Sequence, residues 1–287
     1  MKVYYINLDR SPERRAWFKQ QAEALELDLV RVPAVDGREL PAAELDYWKG
    51  LSSGEDGINL SPGEVGCFLS HRRAWEAVLA GDEKWAFIAE DDVHFSIHAT
   101  SFLLDDGWIP SDAEVVKAET DLKRHEFSPN FWPAPAGHKL RRLKSTHLNA
   151  GGYFLTRKAA GQLLAYSARR CEAVDGLIFA DKYMEQHGLE ILQIIPAICI
   201  QNGYIDPCAN TSALISLLDD ERGAAKKKRK ITVAAKVKRE LIRVFTQMRG
   251  LGLRTCRTLA GESKFISVGF NREGAALAVV DDQKLSG

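Results

Sequence analysis

The sequence predicts an α/β fold, a β-sheet flanked by helices and followed by a basic amphipathic C-terminal extension. Three observations carry this prediction. A strand–helix–strand pattern fills the first 35 residues, a capped amphipathic helix runs into an apolar strand at Trp85–Ala89, and the composition changes sharply beyond Leu218. Two parallel strands joined by a helix bury both faces of their sheet, so the first pattern implies layers of helix on sheet. With 287 residues, 45% apolar and 27% charged, the chain suffices for one large domain and a tail. The expected division is a body over residues 1–215 and an extension over 216–287.

Val3–Leu8 is rich in β-branched and aromatic residues and reads as a buried strand. Ser11 then offers an N-cap and Pro12 a first helical position, with Trp17, Ala24 and Leu25 at helical spacing. A second strand over Leu29–Val35 ends in the turn signal Asp36-Gly37. A short helix is expected near Ala42–Trp48. Ser61-Pro62-Gly63-Glu64 is a capping box with proline at the first helical position, and Val65, Leu69, Trp75 and Leu79 form the apolar stripe behind it as far as Gly81. Trp85–Ala89 reads as a central strand with Glu90-Asp91-Asp92 at its C-terminal end, where open parallel sheets bind ligands. Further strands are expected at Ala113–Ala118 and Ala150–Leu155. Leu122–Lys144, with its prolines and charges, reads as a surface loop. Thr156 caps a helix over Arg157–Ala168, Val174–His187 reads as one more helix, and Glu190–Ile195 as a final strand.

The five cysteines are far apart and odd in number, which favours free thiols over a disulfide framework or a structural zinc site. No stretch approaches the ~20 apolar residues that span a bilayer. The chain enters a strand pattern at once, so the expected location is the cytoplasm. No G-x-G-x-x-G follows the first strand and no Walker A sequence occurs, which disfavours a dehydrogenase or a P-loop enzyme.

Three adjacent carboxylates repel one another, and a divalent cation with phosphate oxygens relieves that repulsion. In an extended segment residues i and i+2 share a side, so Glu90 and Asp92 are placed to face one ligand. The bland alternative is a solvated acidic turn. Four blocks bear on the choice. They are Tyr5-Ile6-Asn7-Leu8-Asp9-Arg10-Ser11-Pro12-Glu13-Arg14-Arg15, Val35-Asp36-Gly37, the run from Leu60 to His71, and Ile88-Ala89-Glu90-Asp91-Asp92-Val93. In this order they closely resemble glycosyltransferase family 25, the lipooligosaccharide-type galactosyltransferases related to collagen galactosyltransferases. Weaker echoes lie at Val116-Lys117, Gly151–Ala160 and Val174-Asp175, so the resemblance covers roughly residues 3–205.

The resemblance implies a GT-A-like, Rossmann-type mixed sheet, a UDP-sugar donor (typically UDP-galactose), inverting transfer, and Mn²⁺ or Mg²⁺ as cofactor. It puts the metal on Asp92, with Glu90 or Asp91 bound through water or to ribose, and Asn7, Arg10 and Asp36 on the nucleotide side. Lys117 is a further donor-side candidate. A carboxylate must take the acceptor proton: Asp175 is the first candidate, against an N-cap reading of the same residue, and Glu119 the second. Arg10, Arg14 and Arg15 suit a diphosphate, although Arg14 and Arg15 also fit a solvated helix face. His71 reads first as a structural histidine. His94 and His98 have metal-pair spacing only in a helix. The acceptor expected is a glycan or lipooligosaccharide.

The net charge of zero hides an asymmetry. Residues 226–257 hold twelve lysines and arginines against the single acid Glu240, whereas residues 1–225 hold 24 against 34 Asp and Glu. Lys226–Lys230 followed by Val233, Val237, Leu241, Ile242, Val244 and Phe245 reads as a basic amphipathic helix for an anionic membrane surface. Without interleaved aromatics it does not suggest nucleic acid. The chain is therefore expected on the inner face of the cytoplasmic membrane. A non-catalytic sugar-nucleotide module and a metal-dependent phosphohydrolase are the competing readings.

Overall fold

A computed structural model describes residues 1–52, 60–205 and 260–271. The chain begins as the sequence predicts: β1 (Val3–Asn7), α1 (Pro12–Ala24) and β2 (Leu29–Pro33) form a parallel βαβ unit. Side chains along β1 alternate between two cores, as a two-residue period requires. Tyr4 and Ile6 join one core, Val3 and Tyr5 the other. Then follow α2 (Ala42–Gly50) and α3 (Pro62–Ala80). The capping box of α3 is complete: Ser61 Oγ accepts the Glu64 N–H at 3.1 Å, and Glu64 Oε2 accepts the Ser61 N–H at 2.8 Å. Ser11, by contrast, precedes α1 without a side-chain capping bond.

β3 (Trp85–Glu90) lies parallel to β1, and β4 (Val93–Phe95) leads into the short α4 (Thr100–Leu103) and β5 (Val115–Lys117). His94 therefore stands in a strand and His98 in the turn beyond it, so the helix that their spacing required is not there, and His94 Nε2 pairs with Asn202 Oδ1 at 2.8 Å.

The expected surface loop over Leu122–Lys144 is instead folded. It contains β6 (Arg124–Phe127), β7 (Trp132–Pro133) and β8 (Lys139–Arg142), and it buries Phe127, Leu140, Glu126 and Arg141. Its polar composition misleads because polar groups of the segment find protein partners within it and just beyond it. Arg141 donates to the Ser128 carbonyl at 2.8 Å, and His125 pairs with the Thr146 carbonyl at 3.0 Å.

β9 (Gly152–Thr156) enters antiparallel between β3 and β5, and α5 (Arg157–Ser167) follows, with Thr156 Oγ1 accepting the Ala159 N–H at 3.0 Å. The single helix expected over Val174–His187 is two, α6 (Val174–Phe179) and α7 (Asp181–His187), separated by Ala180 in an extended conformation. Thr146 stabilises the restart by accepting the Asp181 N–H at 3.1 Å and donating to its carboxylate at 2.9 Å. β10 (Ile191–Ile195) is not the last strand. After it come β11 (Cys199–Gln201), which pairs with β4, then α8 (Asn202–Ile205), and finally β12 (Lys264–Ser267), which pairs with β6.

The main sheet is mixed, in the order β2-β1-β3-β9-β5-β10-β8-β7. Helices α3, α5 and α6 contribute to the core on one face, and α1 and α4 to that on the other. The α/β mixed sheet flanked by helices is thus the architecture expected. Residues 260–271 belong to this body: Val268 is fully buried in the first core. The division expected at 215/216 and the basic stretch 226–257 lie outside the described residues. Among these residues Cys67, Cys171 and Cys199 are free thiols, and no helix is long and apolar enough to cross a membrane.

Candidate active site

The C-terminal ends of the parallel strands β1 and β3 open into a cavity of about 350 Å³. Its lining includes Arg10, Asp36, all three acids Glu90, Asp91 and Asp92, and Asp175. Residues far apart in sequence meet here because β1 and β3 are neighbours and each turns away at its C-terminal end, the general location of ligand sites in such sheets.

Close backbone contact sets the floor. A Cβ on Gly37 would fall 1.7 Å from the Pro62 carbonyl oxygen, and one on Gly66 2.6 Å from that of Val35. Ser70 Oγ closes the same junction, donating to the Gly66 carbonyl at 2.6 Å and accepting the Val35 N–H at 2.8 Å. Asp36 is thereby held at the mouth. Burial works against its charge, but a hydrogen bond from Arg10 and the Arg38 N–H at 3.1 Å keep its carboxyl below the ordinary range.

Each acid of the triplet has its own surroundings. Glu90 sits at the end of a hydrogen-bond chain. Indole N–H is only a donor, so Trp75 Nε1 donates to Tyr153 Oη at 2.9 Å. Tyr153 Oη in turn pairs with His71 Nδ1 at 2.9 Å, and His71 Nε2 faces Glu90 Oε1 at 3.3 Å. Gln201 Nε2 donates to the other Glu90 oxygen at 2.7 Å. Burial opposes the charge, yet these donors and Arg14 hold Glu90 below its usual value. Asp91 Oδ2 accepts from Asn7 Nδ2 at 2.6 Å, and burial raises its carboxyl. Arg14 bridges Asp91 at 3.1 Å and Asp92 at 2.9 Å. It is neither solvated nor free. Burial lowers the guanidinium, but Asp92 and Asp91 outweigh this and hold it above its ordinary value.

Asp92 is the least compensated. Its Oδ1 is buried without a hydrogen-bond partner. Burial, joined by the charges of Glu90 and Asp91, pushes its carboxyl up to about 7 despite Arg14. A buried oxygen with no partner beside like charges suits an oxygen-seeking divalent cation, so the residues present fit Mn²⁺ or Mg²⁺.

Asp175, which lines the same cavity, lies in the first turn of α6, whose N-cap is Ala173, so the N-cap reading does not hold. Its oxygens accept the Gly176 N–H at 2.7 Å and the Asn149 N–H at 3.2 Å. Three expected residues do not line the cavity. Asn7 stands behind Asp91, while Lys117 and Glu119 are fully buried in the wall. Burial pushes the Glu119 carboxyl up to about 8. Conversely, Asn149, Gln201 and Tyr204 line the cavity without any motif that marks them. They arrive from a loop, from β11 and from α8 by tertiary packing, which leaves no local pattern. Gly151 and Gly152 provide close approach, but to the protein itself: a Cβ would meet Gln201 at 2.9 Å and Cys199 at 2.3 Å respectively.

The family model for glycosyltransferase family 25 (LPS biosynthesis protein) matches residues 1–178. The lipooligosaccharide biosynthesis protein lic2B of Haemophilus influenzae is 29% identical over 206 residues, covering 66% of this chain and 75% of that protein. The lacto-N-neotetraose biosynthesis glycosyltransferase LgtB of Neisseria meningitidis serogroup B is 30% identical over 200 residues, covering 66% and 72%. Among solved structures, a glycosyltransferase involved in glycosylation of the major capsid of PBCV-1 overlays with a TM-score of 0.38 at 10% identity, covering 74% of this chain and 96% of that one.

Proposed function

This chain belongs to glycosyltransferase family 25, and from that premise we propose that it transfers a sugar, galactose first, from a UDP-sugar to a glycan or lipooligosaccharide acceptor with inversion. The observation that carries the reading is the pairing, across one cavity, of a cation-ready acidic triplet with the carboxylate of Asp175.

Asp92 and Glu90 would hold the divalent cation, with Asp91 oriented by Asn7 and Arg14 beside them. When bound, the cation supplies positive charge against the diphosphate. The acceptor hydroxyl attacks the anomeric carbon from the face opposite UDP. Its oxygen forms the new glycosidic bond, the bond to the diphosphate breaks with its electron pair, and Asp175 takes the hydroxyl proton. The N–H groups of Asn149 and Gly176 orient that carboxylate. Arg10 and Asp36, paired at the mouth, border the nucleotide end of the cavity. Residues 226–257 supply contact with an anionic membrane surface, a reading supported by their charge and apolar spacing.

Purified protein incubated with a panel of UDP-sugars and lipooligosaccharide, with and without Mn²⁺, tests the assignment. Metal-dependent UDP release is expected, and its loss in Asp92→Ala. Equal release by that variant overturns the metal assignment. Tight UDP-sugar binding without any release favours a non-catalytic module instead.

A further inference from the structure

Lys117 and Glu119 leave the cavity to other residues, yet burying an ammonium and a carboxyl is costly unless they are specifically partnered. Their partners form a pattern. Lys117 Nζ donates to the Asn149 carbonyl, stands 4.1 Å from the centre of the Phe179 ring and lies 3.9 Å from Glu119 Oε2. Glu119 Oε2 accepts the Gly151 N–H at 2.6 Å. The two side chains thus grip residues 149 and 151 of the segment that enters β9.

Each gripped residue bonds to a different acid of the cavity lining. The Gly151 carbonyl accepts the Glu90 N–H at 2.9 Å, at the head of the acidic triplet. Asn149 gives its N–H to Asp175 Oδ2 at 3.2 Å and its side-chain amide to Tyr204 Oη at 3.1 Å. Asn149 also has φ 71°, a left-handed conformation that asparagine adopts more readily than most residues and that constraints on its backbone help to hold. The ammonium on its carbonyl is one such constraint.

We propose that Lys117 is a positioning residue that acts through Asn149 to place Asp175, and that with Glu119 it forms a buried strut joining the acceptor-side carboxylate to the acidic triplet. The proposal rests on the reading of Asp175 as the base. It gives two buried ionisable residues one shared task.

The test uses the full chain with Mn²⁺, lipooligosaccharide and the UDP-sugar selected by the panel above. Lys117→Met is expected to lower kcat for transfer about tenfold or more, the effect of a misplaced reacting group, while UDP affinity by calorimetry changes less than about twofold. In an Asp175→Asn background the same substitution should cost little more, because residues acting as a unit are not additive. Equal fold losses in both backgrounds overturn the proposal, as does wild-type kcat in folded Lys117→Met. Should Lys117→Met not fold, Asn149 decides the matter. Asn149→Gly accepts a positive φ and keeps both backbone bonds, so it should transfer faster than Asn149→Ala, and equal rates overturn the strut. Wild-type transfer by Asp175→Asn would sink the base reading itself. An inactive Asp175→Asn beside a fully active Lys117→Met sinks only the strut.

Discussion

Trp75, Tyr153 and His71 form a buried hydrogen-bond chain that ends on Glu90. The indole can only give and the ionised carboxylate can only accept, so the imidazole presents Nε2–H to Glu90. Tyr153→Phe removes the middle member and leaves two buried nitrogens unpaired. It should cost about 1–3 kcal/mol in denaturant unfolding and weaken transfer. A second prediction concerns Asp92. Its carboxyl is raised to about 7, so a proton and a cation compete for it near neutrality. As pH rises from the ordinary carboxylate value through about 7, the metal-free native state is forced to ionise a group it prefers neutral and loses stability. Cation binding recovers that loss, so the Mn²⁺-induced rise in Tm should be larger at pH 8 than at pH 6, and Asp92→Asn should remove the difference. Legibility at this scale followed the backbone. Asp36, Asp92 and Asp175 reach the cavity from the ends or first turns of regular elements that the sequence marks. Gln201, Asn149 and Tyr204 do so through tertiary packing, which no short pattern encodes.

Helix α3 was the most legible element, because its proline, capping box and apolar stripe agree. What the sequence did not reveal is why Gly66 follows so closely. The helix meets the Val35–Gly37 turn backbone to backbone, without room for a methyl group. Gly66→Ala is therefore expected to destabilise by about 1–3 kcal/mol, the range for overpacking a close-packed site, and to weaken UDP binding by displacing Asp36. Thermal melts and nucleotide calorimetry check both parts. The segment Leu122–Lys144 failed as a loop prediction because its polar groups are satisfied, in part by residues just outside it. His125 and His147 stack at 3.8 Å, and Asp121 pairs with His125 at 2.8 Å. Burial, with Lys117 nearby, lowers His147 to about 3, so between that value and 6.5 the unfolded chain binds a proton that the native state refuses. Asp121 adds the same sign at lower pH. Burial works to raise its carboxyl, but His125 holds it well below 3.8. Stability should thus fall as pH drops through this window, by on the order of 2–4 kcal/mol from His147. His147→Gln should flatten that slope in urea unfolding measured from pH 7 to 4.

For the whole molecule, the charge asymmetry and the return of the chain after residue 259 must be considered together. The basic stretch 226–257 precedes residues 260–271, which pair β12 with β6 and bury Val268 in the core. A truncation from residue 223 onwards would remove that strand along with the charges. Weaker membrane binding by such a protein would then report damage to the body as readily as loss of the tail. The informative variant keeps the chain whole and replaces Lys226, Lys227, Lys228, Arg229 and Lys230 by glutamine. Each basic residue near an anionic surface contributes about 1 kcal/mol, and the contribution is screened by salt. The full-length protein is expected to sediment with vesicles containing phosphatidylglycerol at low salt and to be released as salt rises. The five-glutamine variant should bind far less, with an unchanged Tm because the body is untouched. Wild-type sedimentation by the glutamine variant would exclude electrostatic docking through this cluster. Loss of binding accompanied by a fall in Tm would instead show that the cluster packs against the catalytic body.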